Sequence, residues 1–291
     1  MMNFVLENQQ LKVTVASHGA EVKSVVRKAD GREMMWQADP AFWGRTSPVL
    51  FPVVGCYYEK KSIFGGKTYE MGQHGFARDM EFACLREDAS ELVFELREDA
   101  STLEKYPFAF CLQVRYVLTD GTLAVEWTVE NTNAETMYFS IGAHPAFCCD
   151  LDREVLYFEK AGASCKEIVA NIIAADGSGC LSDDCDRYEL EEGKLAMSDA
   201  LFAKDALVVE GAQADAVSIL DGGGKRLVRV TCDTPLFGVW SPVGKHAPFV
   251  CIEPWYGRCD RVGFSQKLEE REYGNVLAAG ERFVGGYTMQ F

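Results

Sequence analysis

Histidine is scarce in this chain, with four among 291 residues, and basic residues are few: 29 Lys and Arg stand against 44 Asp and Glu. The formal charge of -15 argues against a nucleic-acid partner, because phosphate backbones are held chiefly by Lys and Arg. An acidic surface is equally unsuited to an anionic membrane. No apolar run approaches the roughly 18 residues of a membrane helix. The opening MMNFVLENQQ lacks the basic and apolar regions of a signal peptide, so a cytoplasmic protein is expected. No CxxC occurs among the eleven cysteines, their number is odd, and several sit in strand-like runs such as FAFCLQV, around Cys111. A disulfide framework and a zinc site are both poorly supported, and reduced, mostly buried thiols are expected. Adjacent Cys148 and Cys149 point to opposite faces if extended, so they do not suggest a metal site.

Long helical patterns are also missing. Ser101 followed by Glu104 fits a capping box, and Pro107 ends that segment, which predicts one short helix. Strand signals occur instead from end to end. Leu11, Val13 and Val15 alternate with polar residues, as do Leu92, Phe94 and Leu96. Two longer alternating runs, Leu112 to Leu118 and Leu123 to Val129, flank Asp120-Gly121, a pair that readily takes the positive φ angles of a tight hairpin turn. A second hairpin is expected in AVSILDGGGKRLVRVTC, around Asp221. The acidic stretch from Ser178 to Asp199 has no clear period and reads as a surface excursion. With no linker, repeat or low-complexity block, the expectation is one large all-β domain over 1–291, an antiparallel sandwich with few short helices.

Each histidine can be weighed by its neighbours. His18, before Gly19, and His246, between Pro242 and Pro248, read as turn or loop residues. His74 lies between glycines in MGQHGFARDMEF, near Arg78 and Asp79, where backbone can approach a ligand or simply turn. His144 follows SIGA and precedes Pro145, a context that holds its imidazole at a strand end. A buried, satisfied histidine explains that local pattern equally well. Glu253 closes an apolar run, Pro248 to Ile252; loss of water there raises a carboxyl pKa and makes a better base, whereas a rim ion pair with Arg258 or Arg261 is the plainer alternative. Trp36, Phe42, Trp43, Trp240 and Trp255 lie near these segments, and sugars favour pockets that combine aromatic faces with polar groups.

In combination the segments GAEVKSV, WQADPAFWGRTSPVLFPVVG, HGFARDMEF, SIGAHPAF, LFAKDALV, CIEPWYGRCD and LAAGERF run in order across nearly the whole chain. This ordered set resembles the aldose 1-epimerases, the galactose mutarotase-like proteins, and among them the LacX-like branch. The resemblance implies a large β-sandwich with an open sugar cleft, a small-molecule sugar partner, no metal and no organic cofactor. By their matching motifs, His144 would be the acid that protonates the ring oxygen and Glu253 the base that takes the C1 hydroxyl proton. His74 would stabilise developing charge, while Arg45, Arg78, Asp205 and Trp255 would bind the sugar; the motif around Asp205 departs most from the galactose-specific enzymes.

Three rivals remain on the sequence. A hexose-6-phosphate epimerase would need a cationic pocket, for which Arg45, Arg78, Arg258 and Arg261 are candidates unless paired with carboxylates such as Asp79 and Asp260. A sugar-binding protein without turnover would keep the cleft alone. A glycosidase would normally require two carboxylates at the bond, and the motifs supply one. The preferred sugar and the oligomeric state are open at this level.

Overall fold

A computed structural model describes residues 2–291. The expected hairpin is its central feature: Phe110–Thr119 and Thr122–Asn131 pair in unbroken register from Thr119↔Thr122 to Phe110↔Asn131. Asp120 takes φ 49° at the turn. Leu112, Val114, Tyr116 and Leu118 on one strand, and Leu123, Val125, Trp127 and Val129 on the other, are all buried, as period-two alternation requires. The second hairpin also forms, Ala216–Leu220 against Arg226–Cys232, with the Asp221 carboxylate accepting from the backbone N–H of Gly223 and Lys225. The strand Arg282–Gln290 lies between the two hairpins, bonded to Thr122–Asn131 on one side and to Arg226–Cys232 on the other. Together they form the middle of a ten-stranded sheet.

An eight-stranded sheet faces it. Its main path runs from Leu181–Glu189 through Glu167–Ile173, Leu207–Glu210, Leu236–Trp240, Phe249–Tyr256 and Ile141–Ala143 to Val49–Leu50. Its pairings are antiparallel. Val114, Trp127 and Met289 from the first sheet and Ile141, Phe237, Val239 and Ile252 from the second bury themselves in one hydrophobic cluster, so the molecule is an all-β antiparallel sandwich. A four-stranded sheet, Asn3 to Glu33, adds Val13, Val15 and Val25 to the same cluster. Among the described residues no helix is long and apolar enough to cross a membrane. All eleven cysteines are free thiols.

Two sequence expectations need correction. The short helix, Ala100–Leu103, is capped by Asp99 rather than Ser101: the Asp99 carboxylate accepts from the Thr102 N–H and the Thr102 hydroxyl accepts from the Asp99 N–H, both at 2.9 Å. Aspartate is at least as good a cap as serine, and its box closes with threonine instead of glutamate. The acidic stretch is not a loose excursion either, because Leu181–Glu189 is a nine-residue strand paired with Glu167–Ile173. It forms an edge with mostly exposed or half-buried side chains beyond Leu181, so it has no core-facing stripe for periodicity to reveal. Charges such as Asp183 and Asp184 on that edge discourage pairing with another chain.

Candidate active site

The strand Phe249–Tyr256 carries Glu253, and the segment on its flank carries His144. Before His144, Gly142 pairs with Trp255; after it, Ala146 pairs with Cys251. The same register carried through the interruption at His144-Pro145 sets His144 opposite Glu253. Proline cannot donate to the ladder, and the backbone N–H of His144 turns instead to the carbonyl of Pro48, 3.1 Å away. The ladder thus opens at the point where the two side chains meet, with His144 Nε2 3.3 Å from Glu253 Oε2. Glu253 is 1% and His144 7% exposed.

Trp43 stacks on the His144 ring at 4.6 Å and Trp240 meets it edge-on at 5.4 Å, so two large rings hold the imidazole in place. His74 approaches from a loop at a ring distance of 5.5 Å. That loop is locked to Gly55 in both directions: the His74 N–H donates to the Gly55 carbonyl at 2.8 Å, and the Gly55 N–H donates to His74 Nδ1 at 3.1 Å. Because Nδ1 accepts, the neutral ring carries its proton on Nε2 and is a donor there. The turn requires positive φ at His74 and Gly75, and a Cβ on Gly75 would stand 2.1 Å from the Phe51 carbonyl oxygen, so only glycine fits.

These groups line a cavity of about 340 Å³ together with Arg78, Asp205, Gln73 and Trp255. The structure therefore brings together six of the seven residues singled out in the sequence. Arg45 does not line the cavity; its guanidinium donates to Asp79 at 2.8 Å, close enough for its charge to disfavour protonation of both histidines. Glu253 is not held in a rim ion pair. Arg258 is bound instead to Glu210 and Glu272, and Arg261 is 3.5 Å from Glu272. His18 and His246 lie elsewhere, beside Glu81 and beside Asp152 and Asp199 respectively.

Burial dominates the electrostatics. It raises the Glu253 carboxyl well above the ordinary glutamate value, with the charge of Asp205 adding to the effect and the Trp255 indole opposing it. It lowers His144 to about 3, helped by Arg78, and lowers His74 as well, helped by His144. Both shifts favour the neutral forms, a protonated carboxyl facing a neutral imidazole. His144 Nδ1 and Glu253 Oε2 are buried without a hydrogen-bond partner of regular geometry, as is the Trp255 indole N–H, and such unpaired groups invite a ligand.

Several contributors escaped the sequence reading. Gly238 lies opposite Glu253 in the sheet, and a Cβ there would come within 2.3 Å of the Trp255 ring; Gly142 is similarly close on the other side, at 2.6 Å. These two glycines give Trp255 its place, and the signal for them was a glycine inside a strand pattern. Gln73 had no signal beyond adjacency to His74. One group among the described residues has metal-ligating potential: donor atoms of His144, Cys251 and Glu253 lie within 4.8 Å of one another.

The model of the aldose 1-epimerase family matches residues 2–283. The chain belongs to the aldose 1-epimerase family. It is 30% identical over 285 residues to the plasmid-encoded protein LacX of Lactococcus lactis subsp. lactis, an alignment spanning 95% of this chain and 92% of that one. A galactose mutarotase related enzyme from Lactobacillus acidophilus superposes with a TM-score of 0.90 at 35% identity, covering 99% of this chain and 97% of its own. A galactose mutarotase-like protein from Lactobacillus casei gives 0.90 at 30% identity, with 99% of both chains covered. In this aldose 1-epimerase family member, Gly238→Ala should push Trp255 from its seat. The expected cost is about 1–3 kcal/mol of stability from overpacking. Denaturant unfolding should register that loss together with a changed tryptophan emission, and an unchanged midpoint and spectrum would mean that Trp255 is not held as described.

Proposed function

We propose that the protein is an aldose 1-epimerase that interconverts the α and β anomers of a free hexose. The observation that carries this reading is the buried His144–Glu253 contact on the wall of a cavity of monosaccharide scale. Opening a cyclic hemiacetal needs a base for the C1 hydroxyl proton and an acid for the ring oxygen O5, because neither an alkoxide nor an oxocarbenium ion is stable unaided near neutrality. A pair that already shares one proton supplies both.

In the sugar-free site the proton rests on Glu253. Entry of a sugar favours its transfer to His144, since hydrogen bonds from the C1 hydroxyl and from the Trp255 indole stabilise the carboxylate, while O5 accepts from the imidazolium. Glu253 then takes the C1 hydroxyl proton, the C1–O5 bond breaks as C1 becomes a carbonyl, and His144 protonates O5. Rotation about C1–C2 presents the other carbonyl face. Closure with the roles reversed delivers the opposite anomer and returns the pair to its starting form, with no net redox change.

The neutral His74, a donor at Nε2, would hydrogen-bond the sugar near O5 and stabilise charge as it develops. Arg78 and Asp205 would bind hydroxyls, and the Trp255 ring offers its face to sugar C–H groups. Arg45 would act through Asp79 and by its field. A free sugar is favoured over a hexose phosphate, because Arg78 is the one arginine on the cavity wall among the described residues, with Arg258 and Arg261 engaged by Glu210 and Glu272. The whole of 1–291 would serve as one unit, as its main core cluster runs from Phe4 to Met289.

The relaxation of freshly dissolved α-D-glucose and α-D-galactose toward anomeric equilibrium, followed by polarimetry, tests the reading. Wild type should accelerate it. Glu253→Gln and His144→Asn should each lose at least about 100-fold in rate while still binding sugar in calorimetry. Retention of a tenth of the rate would remove the residue from its role; sugar binding by wild type without acceleration would make the protein a lectin-like binder.

The pH profile gives a second check. A second proton enters the pair only near the His144 value of about 3, and the shared proton leaves only above the raised Glu253 value. Activity, kcat/KM, should therefore show no loss as pH falls through 6.5, the ordinary histidine value, and should decline on the alkaline side. A fall in kcat/KM below 6.5 would contradict the one-proton pair.

A further inference from the structure

Cys251 stands two residues before Glu253 on the same strand, and alternation puts both side chains on one side of the sheet. Its thiol is free and fully buried, and it does not line the sugar cavity. Across the register it sits opposite Ala146 on one neighbouring strand and Trp240 on the other. It thus lies close to the His144–Glu253 contact but outside the cavity lining.

We propose that His144, Cys251 and Glu253 form a site for a zinc-like divalent cation, and that occupancy of this site arrests proton transfer by the pair. The three ligand atoms lie within 4.8 Å of one another, with the imidazole and carboxylate already at 3.3 Å. Tetrahedral zinc, with bonds of about 2.0–2.3 Å, sets its ligand atoms roughly 3.3–3.6 Å apart. The nitrogen–oxygen separation already meets this, and the sulfur would have to move by up to about 1.3 Å to join them.

One nitrogen, one sulfur and one oxygen are a donor set for zinc or cobalt rather than for magnesium or calcium, which prefer all-oxygen shells. A further observation points to a ligand: Glu253 Oε2 is buried without a hydrogen-bond partner of regular geometry. His144 and Glu253 both line the cavity, which would give an ion its way in from solvent and leave room for a water as a fourth ligand.

Binding releases the thiol proton and the proton held by the pair, both to solvent, as three neutral or anionic donors turn to the metal. The consequence for activity is direct. An imidazole whose lone pair is on a metal cannot exchange a proton with O5, and a carboxylate bound to the same ion is a poor base. This consequence rests on the epimerase reading; the binding itself rests on geometry alone.

The test uses the full chain and the metals alone. CoCl2 is titrated into wild type and Cys251→Ala while the near-ultraviolet thiolate-to-metal charge-transfer absorption is recorded, and ZnCl2 is titrated into the anomerisation assay of each. Wild type should gain the absorption at one Co2+ per chain and lose activity with ZnCl2, reversibly on chelation. In Cys251→Ala the absorption should vanish, and the zinc concentration for half-inhibition, relative to that variant's own zinc-free rate, should rise about tenfold or more. The same absorption in both proteins, the same half-inhibition, or no inhibition of an active wild type would overturn the proposal.

A chain that anomerises no sugar leaves the Co2+ titration to decide the site, separately from the epimerase reading. Should Cys251→Ala fail to fold, Glu253→Gln keeps the thiol and removes the oxygen ligand. Co2+ binding weakened by a similar factor would support the site, and unchanged binding would overturn it.

Discussion

A carboxyl and an imidazole set 3.3 Å apart and shut away from water are the constraint on which the rest of this structure depends. Burying either charge alone is costly, and leaving either group unpaired forfeits a hydrogen bond. Sharing one proton avoids the first cost, because the pair is net neutral whichever partner holds it. Burial favours the neutral arrangement, and the charge-separated one differs from it by the position of a single proton. In the proposed reaction, a sugar offering a hydroxyl to the carboxylate and a ring oxygen to the imidazolium would need only to tip that balance.

The sheet is what makes the contact possible. His144 and Glu253 come from segments more than a hundred residues apart, yet one antiparallel register sets them opposite each other, and Pro145 opens the ladder where they meet. Groups on strands are held more rigidly than groups on loops, which would suit the proposed reaction, in which small displacements are expensive. His74 does arrive on a loop, but two backbone contacts with Gly55 pin it and fix its tautomer. Around them Trp43, Trp240 and Trp255 exclude water and leave an apolar face. Cys251 lies close to the same pair, so a single strand carries both the proposed base and, two residues away, the proposed soft ligand.

Much of this was legible in the sequence, for reasons that differ by element. The Phe110–Asn131 hairpin was plain, because one buried face writes its alternation directly into the chain and Asp120-Gly121 marks the turn. The edge strand Leu181–Glu189 was not, since a strand that buries little beyond its first residue carries no such stripe. His74, His144 and Glu253 stood out through their neighbours, glycine, proline and an apolar run. Their meeting could not be read, as it depends on long-range register. Nor could the roles of Gly142 and Gly238, whose value lies in the space they leave for Trp255. Arg45 fell outside the cavity lining because Asp79 holds it.

The location of the shared proton is the most direct test of this account. An infrared difference spectrum between wild type and Glu253→Gln, recorded sugar-free near neutrality and again with a saturating sugar that binds, would report it. The account predicts a protonated carboxyl band in the sugar-free wild type that is missing from the variant and gives way to a carboxylate when sugar is bound. A carboxylate band alone in the sugar-free protein would mean that Glu253 is ionised at rest, and would contradict it.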